Sequence, residues 1–294
     1  MRIYCIFMSF LMFFSAVFSA TPDKITCTSP DSHIMVETAL NQNSQLHYTV
    51  LYDDQLIIQD SETGLLFDNI PDLSAGWQIL NIRNAEKKDT WQRVWGKRKH
   101  VLNHYRELIL ELEESKHSNR RLNMHFRVYN DGVALRYEIP KQTAIDSFSL
   151  TMDLTEFNLG HDCDVWAVTY GGFASHQESE FYQQKVSKLE SETVYGLPML
   201  IHHSDSIWVS ITEADLTDWA GMYLGRDDSD YSLRTLMAPL PGQEQVCVRS
   251  AAPRVSPWRV IMIAESPGDF IESDLIANLN DSCALETVDW IKPG

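Results

Sequence analysis

Apolar and polar side chains alternate with a period of two residues along several stretches of this chain. In the segment 46–52, Leu46, Tyr48 and Val50 share one side. Successive side chains of a β-strand point to opposite faces, so this spacing predicts a strand with one buried face. Similar patterns predict strands over residues 107–114, 122–129, 133–140, 206–212 and 257–265.

One turn between two predicted strands has a specific signature. Asn130, Asp131 and Gly132 separate the segment 122–129 from the segment 133–140. These residue types accept the positive φ angles that a tight hairpin needs. We therefore expect the two segments to pair as an antiparallel hairpin.

Helical periodicity is weak by comparison. Apolar residues recur at helical spacing only in the segment 269–279, where Asp269 is a candidate N-cap. This predicts one short helix, with an irregular strand as the alternative. Many strands without a βαβ rhythm predict an all-β protein, and a chain of this length can form one large two-sheet sandwich.

The two ends of the chain differ from the middle. Residues 1–20 contain one early arginine, an apolar run and then small residues, which is typical of a secretory signal peptide, with an uncleaved anchor as the alternative. Cleavage would export the protein to the periplasm or out of the cell. The segment 286–294, "ETVDWIKPG", ends in residues that leave regular structure. We expect a domain over residues 21–285 and a lead-in to another domain over 286–294.

Charge and cysteine content narrow the classes of function. The formal net charge of the 294 residues is −17. This charge argues against partners that are themselves anionic, such as nucleic acids and anionic membranes. It attracts cations and does not disfavour the binding of a neutral sugar. Cleavage at residue 20 would leave Cys27, Cys163, Cys247 and Cys283, which we expect to be buried or partly oxidised thiols. There is no CxxC motif, so the sequence does not predict a cysteine zinc site.

Several stretches resemble, in order, those of one protein family. They are "TWQRVWGKRKHVLNHYREL" at 90–108, "FRVYNDGVALRYEIP" at 126–140, "ITEADLTDWAGMYL" at 211–224, "PWRVIMIAE" at 257–265 and "WIKPG" at 290–294. Trp219 stands where the family usually has tyrosine. The resemblance runs from about Ile25 to Gly294 and is to glycoside hydrolase family 97, bacterial exo-acting α-glucosidases and α-galactosidases.

The resemblance implies a fold and the domain that carries the catalytic residues. It implies a large two-sheet β-supersandwich similar to galactose mutarotase, followed in the family by a catalytic (β/α)8 barrel that is expected to be missing from this sequence. The family's catalytic carboxylates lie on that barrel, so no catalytic residue is assigned here. The chain is expected to be inactive alone, and an α-glucoside or α-galactoside would bind through the complete enzyme.

The resemblance also implies one metal ligand. In the family, a glutamate on a long sandwich loop helps to hold a calcium ion beside the active site of the barrel. The matching loop spans residues 170–189 and places the ligand at Glu178, with Glu180 as the rival. A carboxylate is a suitable hard ligand for calcium, although a solvated surface charge is the alternative role for Glu178.

Other residues admit a structural and a functional interpretation. Glu213 and Asp218 are expected to make structural hydrogen bonds rather than bind a metal. A mutarotase-like sugar epimerase would use an acid–base pair drawn from His176, His202 and His203, but we expect these histidines on loops or the surface. A stand-alone carbohydrate-binding module would stack sugar rings on tryptophans that otherwise pack in the core: Trp91, Trp95, Trp219 and Trp258.

Overall fold

The structure is a computed structural model that describes residues 24–94, 96–115, 119–191, 193–227 and 231–292. The predicted signal peptide, residues 1–20, and Trp95 lie outside the described residues. No helix in the described part of the chain is long and apolar enough to cross a membrane.

Most of the regular structure in the described chain is β-strand. Its first strands are β1 (Ile25–Thr28), β2 (Ile34–Leu40), β3 (Leu46–Tyr52), β4 (Gln55–Glu62), β5 (Leu65–Phe67), β6 (Trp77–Gln92) and β7 (His100–Glu114). The middle strands are β8 (Arg121–Tyr129), β9 (Gly132–Ile139), β10 (Ser147–Asp153), β11 (Glu156–Asn158), β12 (Asp164–Tyr170), β13 (Phe181–Lys185) and β14 (Val194–Tyr195). The last strands are β15 (Met199–Ser204), β16 (Ile207–Ala214), β17 (Met222–Arg226), β18 (Ser232–Met237), β19 (Val248–Ala251), β20 (Arg254–Val255) and β21 (Trp258–Ala264). The helices are a 3-10 turn at Val186–Lys188, α1 (Pro267–Glu272) and α2 (Leu275–Leu279).

The strands pair into antiparallel sheets. One sheet has the order β1-β2-β3-β4 and another has the order β19-β10-β5. The longest sheet has the order β11-β18-β17-β14-β12-β15-β16-β21-β9-β8-β7-β6, with β13 beside β12 and β20 beside β9. At its end, β6 and β7 pair from Trp77 opposite Glu114 to Gln92 opposite His100.

The main core lies between the sheets. One apolar cluster includes Val36 of β2, Leu110 of β7 and Leu150 of β10, one from each sheet, and all three are fully buried. The predicted alternation is confirmed in β7, where Leu108 and Leu112 join Leu110 in this cluster. The predicted all-β sandwich is therefore the observed architecture.

The central strand β21 is buried on both faces. Ile261 and Ile263 point into the main core, whereas Trp258 and Val260 belong to a second apolar cluster beneath α2. Period-2 alternation places Arg259 on the same face as Ile261, toward the interior between the sheets. This position matters for the charged groups described below.

The predicted hairpin is confirmed. Tyr129 pairs with Gly132, and Asn130 and Asp131 form the turn between β8 and β9. A side chain at Gly132 would meet the carbonyl oxygen of Ile261 at 2.5 Å, so glycine also permits the close approach of β21.

The predicted single helix over 269–279 with Asp269 as its N-cap is wrong. Two helices form instead, and α1 begins after Ser266, with Pro267 at its first position. The Asp269 carboxylate accepts a hydrogen bond from the Ser266 backbone N–H at 2.9 Å, which makes it the third residue of a capping box. Ser273 ends α1, and its hydroxyl accepts the Leu275 N–H at 3.1 Å at the start of α2.

Candidate functional site

The predicted calcium ligand lies on the loop 171–180, which joins β12 to β13. Aromatic packing holds the base of this loop, since the Tyr223 ring lies 5.3 Å from Phe173 and 6.2 Å from Tyr170 between centroids. The Gln177 amide donates a hydrogen bond to the Tyr223 hydroxyl oxygen at 2.6 Å. The chain is therefore anchored one residue before Glu178.

Glu178 itself is exposed, and its carboxylate has no hydrogen bond or ion pair within the described chain. Its rival, Glu180, is also exposed and accepts a long hydrogen bond of 3.4 Å from the Tyr182 hydroxyl. An unpaired carboxylate suits a hard cation, but it supplies at most two of the roughly six to eight oxygens that calcium prefers. Glu178 alone therefore does not form a calcium site.

The three histidines considered for an epimerase do not converge. His202 lies opposite Asp164 at the start of β12, whereas His176 follows the end of that strand. Six residues of extended chain separate these ends by about 20 Å. His176 is exposed as expected, but the expected surface position is wrong for His203, which is only 6% exposed.

Glu213 and Asp218 have the expected structural roles. The Glu213 carboxylate accepts hydrogen bonds from the Met222 backbone N–H at 3.0 Å and from the Arg259 guanidinium at 2.9 Å. Asp218 pairs with Arg254 at 2.8 Å. Both carboxylates are thus used within the fold.

Arg259 joins two carboxylates in the interior. Its Nε donates to Asp153 at 2.9 Å, and its Nη1 donates to Glu213 at 2.9 Å. Burial raises the pKa of Glu213, while the nearby Arg259 charge and the Met222 N–H oppose that rise. The arrangement thus pairs one buried positive charge with two carboxylates, of which Asp153 is also buried.

The tryptophans make structural contacts. Trp258 is fully buried and contacts two guanidiniums, with the Cζ atoms of Arg127 and Arg136 at 4.6 Å and 4.1 Å from the ring centroid. Trp219 packs against Phe148 at 6.3 Å, so core packing is confirmed for both tryptophans. The Trp91 indole N–H donates to Asn278 at 2.8 Å.

A polar cavity of about 300 Å³ lies beside α2 on the outer face of the long sheet. Its lining includes Trp91, Tyr105, Arg127, Arg136 and Asp215. Burial and the neighbouring Arg127 lower the pKa of Arg136, and burial raises the pKa of Asp215. The cavity offers aromatic surface and hydrogen-bonding groups, which is chemistry that suits sugar hydroxyls.

One group of potential metal ligands was missed by sequence reasoning. Within the described residues, His161, Cys163 and His203 are the only set of three or more whose ligand atoms lie together, all within 4.8 Å. The group lies at the start of β12, whereas Glu178 follows the end of that strand. His203 lies about forty residues from the other two in sequence, so the His-x-Cys spacing at 161–163 is the only local signal.

The thiols of the described chain are free. Cys27, Cys163 and Cys247 are buried, as expected, and Cys283 is exposed. Burial raises the pKa of Cys27 to about 11 and that of Cys163 to about 12, so both are protonated at neutral pH.

Known proteins are similar to this chain in sequence or in fold. A retaining α-galactosidase of Bacteroides thetaiotaomicron is 23% identical over 297 residues, which cover 92% of this chain and 43% of that protein. A glycoside hydrolase family 97 enzyme from Pseudoalteromonas sp. strain K8, solved with panose and with acarbose, superposes with a TM-score of 0.85 at 26% identity. That match covers 92% of this chain and 40% of the other. A β-arabinopyranosidase shares the fold, with a TM-score of 0.74, 20% identity and coverage of 82% of this chain and 40% of that chain.

The chain spans about two fifths of the length of the Bacteroides and Pseudoalteromonas enzymes that it matches. The family described as Glycosyl-hydrolase 97 N-terminal matches residues 27–282, which is most of the chain. The observed β-sandwich and this match together establish that the chain belongs to the N-terminal domain family of glycoside hydrolase family 97.

Proposed function

We propose that this chain serves as the N-terminal domain of an exo-acting, calcium-dependent α-glycosidase whose substrates are α-glucosides or α-galactosides. The observation that carries the proposal is the family match over residues 27–282, on a chain that spans about two fifths of its enzyme relatives. The remaining length of such an enzyme provides the catalytic barrel. The chain by itself is then inactive and contributes a docking surface and one metal ligand.

The docking role is supported by the segment 281–292, which contains neither helix nor strand. Its largest apolar side chains face solvent, with Trp290 68% exposed, Leu285 51% and Ile291 39%. Within one chain, domain interfaces bury about 600–1,500 Å² and commonly use such apolar surface. We propose that this segment leads into the barrel and packs against it.

The metal role is supported by the anchored loop and the unpaired Glu178 carboxylate. When a calcium ion is bound, it supplies positive charge beside the sugar. This chain's part is to provide one carboxylate ligand, Glu178, for that ion. The exposed position of Glu178 leaves it accessible to a second domain. A shared site of this kind requires both domains for tight binding.

Activity tests the first part of the proposal. The chain alone, and the chain joined to the barrel of the Pseudoalteromonas enzyme, should be assayed with aryl α-glucosides and aryl α-galactosides. We expect hydrolysis only from the joined protein. Hydrolysis by the isolated chain would overturn the proposal, and tight binding of panose by the isolated chain, lost in Trp91→Ala, would favour a stand-alone sugar-binding module instead.

Calorimetry tests the metal ligand. We expect the isolated chain to bind calcium with a Kd of about 1 mM or weaker, because one carboxylate leaves most of the coordination shell to water. In the joined protein, Glu178→Gln should weaken calcium binding by about tenfold or more, and the matched variant Glu180→Gln should leave it unchanged. The opposite ranking would move the ligand to Glu180, and micromolar binding by the isolated chain would show a complete site within it.

Export is a separate proposal that rests on the sequence of residues 1–20. N-terminal sequencing of the protein recovered outside the cytoplasm should begin after Ala20. Recovery of the intact N-terminus in a membrane fraction would show an uncleaved anchor instead.

A further inference from the structure

The group formed by His161, Cys163 and His203 is built from two parts of the long sheet. His161 and Cys163 precede β12, and His203 lies in β15, which pairs with β12. The two imidazole rings meet edge to face with centroids 4.5 Å apart. Sheet pairing therefore brings two imidazoles and a thiol together.

The spacing of one pair of donor atoms matches a known coordination geometry. The Sγ atom of Cys163 lies 3.4 Å from Nε2 of His161. In a tetrahedral zinc site, bonds of about 2.3 Å to sulfur and 2.0–2.1 Å to nitrogen place these two ligand atoms about 3.5 Å apart. The pair is thus already separated as zinc ligands are.

His203 provides an independent indication of a ligand. Its side chain is more than nine-tenths buried, yet neither ring nitrogen has a hydrogen-bond partner within the described chain. The carbonyls of Ile57 and Leu159 lie close enough to favour the charged ring weakly, but neither reaches hydrogen-bond geometry. A buried polar group without a partner is costly, so such a ring needs an explanation.

Metal binding at this group would release a proton. Zinc is held by the thiolate form of cysteine and by neutral imidazole. The ion therefore displaces the Cys163 thiol proton, and one proton per ion is released to solvent.

One existing hydrogen bond has to give way. His161 Nε2 lies 2.7 Å from the backbone oxygen of His203, and it must carry a proton to donate to that carbonyl. Coordination through Nε2 moves that proton to Nδ1, with no net change for this ring. His161 is exposed, which gives an ion a path from solvent.

We propose that His161, Cys163 and His203 bind a zinc ion, with water completing its coordination. Thiolate and imidazole are the ligands that zinc prefers, and they are poor ligands for calcium, so this site is separate from Glu178 in chemistry as well as in position. The ion would tie β12 to β15 and stabilise the sandwich.

The experiment uses the purified chain after removal of metals. Titration with ZnCl₂ should show one ion per chain, with a Kd of about 10 µM or tighter, and zinc should raise the Tm. Cys163→Ala should weaken zinc binding by about tenfold or more. The matched control is Cys247→Ala, which removes another buried free thiol and should leave zinc affinity unchanged.

Cobalt distinguishes this site from histidines on the surface and does not depend on any variant folding. In the unaltered chain, CoCl₂ should give the absorption bands of tetrahedral cobalt with a thiolate ligand, and zinc should remove them. Cobalt binding without a thiolate band would overturn the proposal. So would an absence of stoichiometric zinc binding, or zinc affinity that is equal in the Cys163→Ala and Cys247→Ala proteins.

Discussion

Replacing Arg259 with methionine should destabilise this domain strongly. The guanidinium is fully buried and holds Asp153 and Glu213 at 2.9 Å each. Methionine preserves much of the volume but removes the only positive charge in this contact. Removing one partner of a buried ion pair costs about 3–5 kcal/mol, because it leaves an uncompensated buried charge.

The hydrogen-bond donors that remain in the variant limit the loss in the free energy of unfolding. Asp153 still accepts hydrogen bonds from the backbone N–H and hydroxyl of Thr155, at 2.8 and 2.6 Å. Glu213 still accepts one from the Met222 N–H at 3.0 Å. We therefore expect a loss of about 3–5 kcal/mol rather than the sum of two fully unpaired charges.

Urea unfolding at pH 7, followed by tryptophan fluorescence and circular dichroism, measures this loss. Arg249→Met is the matched control, since Arg249 is exposed and donates only to Gln243 at 3.0 Å. The control should change the free energy of unfolding by no more than about 0.5 kcal/mol. Combining Arg259→Met with Glu213→Gln should recover part of the loss, because one of the two unpaired charges is then absent.

The loss should also depend on pH. Without Arg259, burial leaves the pKa of Glu213 raised further above its value in the unfolded chain. A raised folded-state pKa favours the folded state as the pH falls through it, so the gap between variant and parent should narrow between about pH 7 and pH 5. A loss below about 1 kcal/mol, or one that is the same at both pH values, would refute the reasoning.

Two further predictions concern single buried groups. The Tyr137 hydroxyl accepts a hydrogen bond from the Gly64 N–H at 3.0 Å, so Tyr137→Phe should lower the free energy of unfolding in urea by about 1–3 kcal/mol. Tyr52→Phe, which removes a hydroxyl near the surface, is the control. An equal loss in both variants would contradict this prediction. Burial raises the pKa of Glu107, but the His125 ring, whose Nδ1 lies 3.8 Å from the carboxylate, and the Arg127 guanidinium, which donates to it at 2.8 Å, outweigh burial and lower the pKa to about 2. This stabilisation is complete above the unfolded-state pKa and is lost as the pH falls toward 2. At pH 7, Glu107→Gln should therefore lower the free energy of unfolding by up to about 2 kcal/mol, after allowance for partial exposure. Near pH 2 the variant and the parent should be equally stable. A difference in stability that does not change with pH would contradict the lowered pKa of Glu107.

The strands that could be predicted from sequence are those with one face in the core. Tyr48 and Val50 of β3 alternate with polar residues because one face of that strand packs inside and the other meets water. The sequence of β6 has no such alternation of apolar and polar residues. Most of its residues between Asn81 and Thr90 are exposed, so the sequence keeps no apolar period there, and the strand is defined by its pairing with β7.

The residues of the candidate sites also differ in how far the sequence alone could predict their positions. The position of Glu178 came from resemblance, because an exposed loop glutamate has no physical signature of its own. His203 was misjudged because its burial depends on the packing of β15 against β12, which neighbouring residues in the sequence do not specify. Arg259 lay within a predicted strand, but its two carboxylate partners come from other strands of the fold.

The position of β6 at the end of the long sheet has a consequence for self-association. Its outer row of backbone N–H and C=O groups has no strand beside it among the described residues, and such an edge can recruit a strand from another molecule. Charged side chains from Glu86 to Asp89 raise the cost of that pairing over one half of the edge. The half nearer Trp77 carries Leu80 and Ile82, both more than 40% exposed. Intermolecular strand addition would therefore begin at Leu80 and Ile82 and stop before the charged run.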